Sequence, residues 1–445
     1  MNVSERLADY IIGLKYDDLP KNVQDMALTA VYNYMGCILA GASEPVSQTV
    51  FNMIKTTGSE GKCRLFGTDC TSDPLSSALF NGTAGNAIGF DDMYAGGIYH
   101  PGVAAITGAL TAAQLKKVSG KDFLAAVVAG YEVADRIARM VNPSQYKKWH
   151  TACTVGVFGA MTSAAKVLGL SRDEIVNAFG IAGTQACGLQ ECSDNMAIRL
   201  HHGISSRNGI TAALLALNGF DGPKMIFEGK GGYVNATSEF DGDIMAQFDD
   251  FGEKYLICDT TFKFYPCCGH IHACIDGALF AKEKGNVKPE DIRKIKVGTY
   301  KTAANNDSNP NPQNIGQAKF SIEYCVAAGI EFGKCTMAEF EQWPPKKEIL
   351  DLMKLVEVSV DPEIEGNFPA GKRGAVVTLV TDSGEVTEKR ISRRGDPDCP
   401  LSNADIKSKF EGLAAPVMSA EDMMKLENIL DNLVQQDDAS VLCQF

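Results

Sequence analysis

Six histidines occur in the 445 residues, and all six lie in motifs containing glycine, proline or a second histidine: His100, His150, His201, His202, His270 and His272. Imidazole is the side chain best matched to proton transfer near neutral pH, so this placement points to acid–base chemistry. His100 stands in Ile98-Tyr99-His100-Pro101-Gly102, downstream of the paired carboxylates Asp91-Asp92. Those carboxylates can supply a base and an orienting partner for it. The plainer alternative is that Asp91 or Asp92 caps a helix beginning near Val103. A helix start is itself useful, since its free N–H groups and dipole favour an anion. His150, in Lys147-Lys148-Trp149-His150-Thr151, again precedes a glycine- and alanine-rich apolar stretch. A lone histidine is more often structural, but this one follows two lysines and an indole.

His201 and His202 belong to Asn195-Met196-Ala197-Ile198-Arg199-Leu200-His201-His202-Gly203, followed by Arg207-Asn208-Gly209. Cations just before an apolar helix at Thr211 to Leu217 suit carboxylate binding, and arginine can do it with two parallel hydrogen bonds. A solvated turn would explain them as well. Lys263 sits between aromatics in Phe262-Lys263-Phe264-Tyr265-Pro266-Cys267-Cys268-Gly269-His270-Ile271-His272. It either snorkels at a surface or aims a charge into a cleft. In Ala318-Lys319-Phe320-Ser321-Ile322-Glu323-Tyr324, the Tyr324 hydroxyl is a candidate donor. The adjacent Cys267-Cys268 pair with His270 and His272 invites a metal reading. Zinc sites usually pair cysteines two to four residues apart and add a second, separated half. That half is missing here, so no metal is expected.

With 42 basic and 55 acidic residues, the net charge of −13 argues against nucleic acid or an anionic membrane as partner. An acidic protein that binds a small anion must build a local cationic site, which singles out Arg199, Arg207 and Lys263. No basic stretch followed by an apolar run opens the chain, and no apolar run reaches the ~20 residues of a membrane span. A cytoplasmic location is expected, with the fourteen cysteines reduced.

These motifs must be held by surrounding elements, and the length suggests roughly two or three domains. The first 240 or so residues show helix after helix. Ser4 can cap a helix carrying Leu7, Tyr10, Ile11 and Leu14 on one face, and Ser171-Arg172-Asp173-Glu174 marks another start. Beyond about residue 258 the texture changes. Lys294 to Lys301 and Leu355 to Val360 suggest strands, and Ala375 to Val380 and Glu385 to Ile391 flank a hairpin turn at Asp382-Ser383-Gly384. The expected architecture is mainly α: a large helical domain of residues 1–258 and 396–445, with an inserted α+β lid domain at 259–395. A small-molecule site is expected between them.

These residues resemble the MmgE/PrpD family, which includes 2-methylcitrate dehydratase, cis-aconitate decarboxylase and iminodisuccinate epimerase. The resemblance runs through Gly89 to Gly102, Gly130-Tyr131-Glu132-Val133 with Arg136, and Trp149-His150-Thr151. It continues through Gly203, Asn208-Gly209, Gly219-Phe220-Asp221-Gly222-Pro223, Phe227-Glu228-Gly229, Lys263 to Asp276 and Phe320 to Tyr324. It implies a homodimer with neither metal nor organic cofactor, and active-site roles for Asp92, His100, His150, Lys263 and Tyr324, with His272 nearby. Two departures are visible. Family lyases often have Asp-Asp-Thr-His where this chain has Asp91-Asp92-Met93-Tyr94, and Ile198 replaces a lysine often found five residues before the motif glycine.

The expected reaction is removal of a proton α to a carboxylate of a small di- or tricarboxylate, or protonation of the carbanion left by decarboxylation. His150 or His100 is the base and Asp92 orients a histidine. Lys263 with Arg199 or Arg207 holds the substrate, helped by His201 and His272, and Tyr324 works on the other face. A lyase is expected first. The two departures keep an epimerase of a small dicarboxylate, and a non-catalytic carboxylate-binding protein, as alternatives.

Overall fold

Local capping chemistry decides where the first helix begins. In the computed structural model, which describes residues 1–192, 195–341, 343–368 and 371–445, α1 spans Val3–Gly13. Asn2, not Ser4, caps it. The Asn2 side chain accepts from the Glu5 amide at 2.9 Å, and the Glu5 carboxylate accepts from the Asn2 amide at 2.9 Å. Ser4 lies one position inside the helix and is buried. The same reciprocal cap forms at Ser171 and Glu174, where a helix was expected to start.

The chain divides into two compact units, Met1–Thr261 with Ile406–Phe445, and Phe262–Asp405. The first is helical. After α1 come α2 (Lys21–Gly41), α3 (Pro45–Thr57), α4 (Pro74–Ala87), α5 (Pro101–Ala113) and α6 (Gly120–Val141). They are followed by α7 (Thr151–Thr154), α8 (Gly156–Leu168), α9 (Arg172–Thr184) and α10 (Ala197–Leu217). Among the described residues one stretch, Thr151–Leu168 across α7 and α8, is long and apolar enough to cross a membrane, and 94% of it is buried within the protein. It is a core helix.

Small residues set the spacing in this unit. A Cβ on Gly203 of α10 would lie 2.2 Å from the Leu79 carbonyl oxygen of α4, and one on Gly82 would lie 2.7 Å from the His202 carbonyl oxygen. The α4 and α10 backbones therefore touch, which no larger residue at these two positions would allow. Gly108 of α5 approaches Ala160 of α8 in the same way, its Cβ position 2.4 Å from the Ala160 carbonyl oxygen. The expectation that a helix starts only at Thr211 is corrected: α10 is continuous from Ala197. Gly203 does not break it, because the close contact with α4 compensates for the weak helix preference of glycine.

The second unit contains a four-stranded sheet of β1 (Ile292–Thr299), β2 (Val356–Val360), β3 (Ala375–Thr381) and β4 (Gly384–Arg390), in the order β2-β1-β3-β4. β1 pairs parallel with β2 and antiparallel with β3, and β3 and β4 form the expected hairpin. Ile295, Val297 and Thr299 alternate inward along β1. Ile295 and Val297 share a core with Val377 and Leu379 of β3, Ile275 and Ala278 of α11 (His272–Gly285), and Val326 and Ile330 of α12 (Ile322–Phe332). The fold is mainly α with a smaller α+β part.

The helix contact makes a direct prediction. Gly203→Ala should destabilise the protein by about 1–3 kcal/mol through overpacking. Gly13→Ala, whose Cβ meets nothing within 4 Å, should leave the melting temperature unchanged or slightly raised. Equal melting temperatures for Gly203→Ala and wild type would show that α4 and α10 are not held this closely.

Candidate active site

Two adjacent carboxylates, Asp91 and Asp92, are almost completely buried, at 0% and 1% exposure. Burying a charge is costly unless it is paired, so their partners define the site. His100, the N-cap residue of α5, brings Nδ1 to 3.0 Å from Asp91 Oδ2 and 2.8 Å from the Asp92 carbonyl oxygen. Both neighbours can only accept. Nδ1 therefore keeps its proton, and in the neutral ring Nε2 carries the lone pair.

Asp91 thus brings a carboxylate oxygen to the ring, and Asp92 brings its backbone carbonyl. The side chain of Asp92 turns the other way, accepting from the Tyr131 hydroxyl at 2.9 Å and from the Gly102 amide, at the start of α5, at 3.3 Å. Burial and the charge of Asp91 push the Asp92 carboxyl up to about 6.

Asp91 is held from behind. Asn86 of α4 donates from Nδ2 to Asp91 Oδ1 at 2.7 Å, and Arg199 of α10 donates from Nη1 to Asn86 Oδ1 at 2.6 Å. Arg199, His201, His202 and Arg207 occupy the first three turns of α10 rather than a segment ahead of a helix. Arg199 reaches the carboxylate relay. Arg207 turns its guanidinium toward the neighbouring Asn208 side chain, with both contacts at 3.3 Å.

Four of the six histidines gather here. The His202 ring centroid is 5.8 Å from that of His100 and 5.9 Å from that of His150, while His150 and His201 are 5.3 Å apart. The Nδ1 atoms of His150 and His201 are 3.1 Å apart, and Cys192 Sγ lies 3.4 Å from His201 Nδ1. Burial, followed by the charges of His201, His100 and Arg199, lowers His150 to about 3. Burial also lowers His201, and holds His202 well below the ordinary range. These three rings are neutral at physiological pH. Asn86, Tyr131 and Cys192 were not singled out as site residues from sequence. Asp91, Tyr131 and His202 lay inside the motifs, whereas nothing in the spacing marked Asn86 or Cys192.

The remaining candidates belong to the second unit. His272 opens α11, is 1% exposed and packs edge-on against Tyr265 at 5.3 Å. Tyr324 of α12 is fully buried and donates its hydroxyl to the Glu339 carbonyl at 3.1 Å. Lys263 is half-buried. His270 bonds through Nδ1 to the Tyr300 hydroxyl and is lowered to about 4 by burial and by the charges of Arg373, Arg393 and Lys263. Arg373 and Arg393 had no motif signal, being more than a hundred residues along the chain from His270.

The buried neutral imidazoles carry a pH signature. His150 is lowered in the folded protein, so the unfolded chain binds the extra proton first as pH falls below about 6.5. Its share of stability is complete above that pH and is lost progressively toward pH 3, at roughly 1.4 kcal/mol per unit. His150→Gln should therefore gain stability relative to wild type as denaturant melts are moved from pH 7 to pH 4. A difference independent of pH would refute the neutral, desolvated His150.

Comparisons with known proteins identify the family. Residues 5–242 match the MmgE/PrpD N-terminal domain and residues 265–435 match the MmgE/PrpD C-terminal domain. A cis-aconitate decarboxylase-like protein of Aspergillus oryzae is 26% identical over 99% of this chain and 96% of its own length. The cis-aconitate decarboxylase of Aspergillus terreus is 25% identical over 100% of this chain and 95% of its own. The 2-methylcitrate dehydratase of Salmonella typhimurium is 22% identical over 84% of this chain and 81% of its own. With both domain matches in order along the chain, the protein belongs to the MmgE/PrpD family, as an enzyme of its lyase type.

Proposed function

We propose that this enzyme is a decarboxylase-type lyase acting on a small di- or tricarboxylate, with His100 as the group that moves the proton. The observation that carries the reading is the pairing of His100 Nδ1 with Asp91 Oδ2 at 3.0 Å and the Asp92 carbonyl at 2.8 Å. It leaves Nε2 to exchange a proton with carbon. When Nε2 takes that proton, the ring becomes an imidazolium whose charge the Asp91 carboxylate stabilises.

In the proposed reaction the bond to a carboxylate breaks and CO₂ leaves. The electron pair remains on the adjacent carbon, where a second carboxylate or alkene delocalises it. His100, its Nε2 protonated from solvent beforehand, delivers that proton there and regains one from solvent for the next turnover, so that one proton is taken up for each CO₂ released. Arg199 supplies positive charge beside the relay, favouring the developing anion. His150, held neutral, donates or accepts a hydrogen bond without adding charge. The parts assigned to Lys263, His272 and Tyr324, in substrate binding and in proton transfer on the opposite face, rest on the motifs these residues occupy.

Decarboxylation is preferred over dehydration because the matched decarboxylases align over essentially the whole chain, whereas the matched dehydratase aligns over 84% of it. The second reading, an epimerase, is favoured by Met93, Tyr94 and Ile198 standing where family lyases often have polar residues. Tyr94 is buried and exchanges backbone hydrogen bonds with Tyr99 at 2.8 and 3.2 Å, so this position shapes the loop that carries His100.

Proton NMR in D₂O with a panel of di- and tricarboxylates, including amino- and iminosuccinates, tests the proposal. Loss of CO₂ with deuterium appearing at the neighbouring carbon is expected. His100→Gln should lower kcat by about 10²- to 10⁴-fold, and Asp91→Asn should also lower it while the fold is retained. Deuterium in an intact carbon skeleton would replace the lyase with an epimerase. No exchange across the panel would overturn proton-transfer chemistry on carboxylates.

A further inference from the structure

Two free thiols meet beside the histidines. Cys153 of α7 and Cys187, in the segment between α9 and α10, bring their Sγ atoms to 3.4 Å. Their surroundings differ, since Cys153 is 1% exposed whereas Cys187 is only half-buried. Asn208 of α10 donates from Nδ2 to the Gln185 carbonyl at 3.2 Å, which holds the helix and its Arg207 against the chain leading to Cys187. The hydrogen bond from Cys153, followed by the charge of Arg207, holds the Cys187 thiol below the ordinary thiol range against the effect of burial. The same hydrogen bond and burial raise Cys153. Thiolates that attack oxidants sit in electropositive, partly exposed surroundings, and Cys187 has both properties. Cys267, Cys325 and Cys335 of the second unit differ in this respect. They share its core at 6%, 0% and 2% exposure, so none of them offers a way in for an oxidant.

The backbone beside Cys187 links this pair to the histidines. Gly188 has a φ of +101° and lies between Cys153 and His201: a Cβ there would be 2.5 Å from Cys153 Cβ and 3.2 Å from His201 Cε1. Its carbonyl accepts from the His150 amide at 3.0 Å. A disulfide has an S–S length of about 2.05 Å, so closing the gap brings the sulfurs together by roughly 1.4 Å. Cys153 is held in a buried helix, whereas Cys187 and Gly188 have no regular structure. The movement therefore falls on the Cys187–Gly188 segment, which presses on the His201 ring and pulls on the His150 backbone.

We propose that Cys153 and Cys187 form a redox modification site: hydrogen peroxide oxidises them to a disulfide, and the cross-link slows the enzyme by shifting the Gly188 segment against His150 and His201. The Cys187 thiolate attacks one peroxide oxygen, the O–O bond breaks, and the departing hydroxide takes a proton to become water. Cys187 is then a sulfenic acid. The Cys153 sulfur attacks the Cys187 sulfur, the S–O bond breaks, and the second oxygen leaves as water with the Cys153 proton. Two thiols lose two electrons in all, and one peroxide is reduced to two waters. A dithiol reductant reverses the change by thiol–disulfide exchange.

Peptide mapping of the full chain after stoichiometric hydrogen peroxide, with remaining thiols alkylated, tests the site without any substrate. Two of the fourteen thiols should be lost, in a Cys153–Cys187 linked peptide, and dithiothreitol should restore both. Cys153→Ala should stop at a Cys187 sulfenic acid that a 1,3-diketone labels once, and Cys187→Ser should give neither product. Both variants should keep the wild-type far-UV circular dichroism. With a substrate from the D₂O panel, oxidised wild type should turn over roughly 10- to 100-fold more slowly, the cost of displacing groups by about 1 Å, and recover on reduction. Cys187→Ser should keep its rate in peroxide. The loss of turnover rests on the catalytic reading above and the cross-link does not. An enzyme inactive before oxidation would count against that reading, and the peptide map would still decide the site. No Cys153–Cys187 linkage, or a linkage through Cys192 instead, would overturn the proposal, and so would a linkage that leaves turnover unchanged.

Discussion

A fully buried carboxylate must be surrounded by partners, and Asp91, at 0% exposure, is the one that ties several elements of the first unit together. Its two oxygens are divided between His100 ahead and Asn86 behind, and Asn86 is in turn held by Arg199. The four residues come from α4, the loop after it, the cap of α5 and the first turn of α10. The relay exists only if α4 and α10 approach to backbone contact, which the glycines at 82 and 203 permit. Helix packing and site electrostatics are thus one constraint. A bulkier residue at the α4–α10 contact would move Asn86 away from Arg199 and leave a buried charge less well paired, a defect that costs far more in a dry interior than at a surface.

The arrangement places titratable groups in contrasting environments. His100 is partly open to solvent, with 26% side-chain exposure, and is backed by a carboxylate. His150, His201 and His202 sit deeper, near one another and near Arg199, and burial keeps them neutral. Asp92 is pushed the other way, because a second negative charge beside Asp91 in the same dry region is unfavourable. One short segment therefore carries a carboxylate beside a ring and a second carboxyl, pushed up to about 6, that accepts from the Tyr131 hydroxyl.

The second unit solves its polar burial by different means. Asp276 of α11 accepts from the Tyr265 hydroxyl at 2.7 Å and from the Arg394 side chain at 3.1 Å. Arg393 is tied to Asp396, and His270 to Tyr300. These pairs fasten the Lys263–His272 motif to the segment after β4, where it meets the sheet. The motif contains little regular structure until α11 begins, so its conformation is set by these long-range contacts rather than by helix or strand preference.

Much was already determined by local sequence. The periodicity of apolar residues marked the helical unit, alternation and the Asp382-Ser383-Gly384 turn marked the β3–β4 hairpin, and the histidine-bearing motifs included the four rings that the fold gathers together. Family membership was legible for the same reason, since motifs are short and local. Tertiary structure alone decided that the Asp91 side chain, held by Asn86 of α4, lies beside His100 while that of Asp92 turns to Tyr131, because both partners come from distant helices. It alone placed Asn86 beside Arg199, 113 residues apart, and Cys192 beside the histidines. It also decided that Gly203 continues a helix instead of ending one, since the glycine preference that local sequence can express is smaller than the energy of a close helix contact. Side-chain chemistry sets which groups can react; the low-dielectric packing around them sets which are charged and which are aligned.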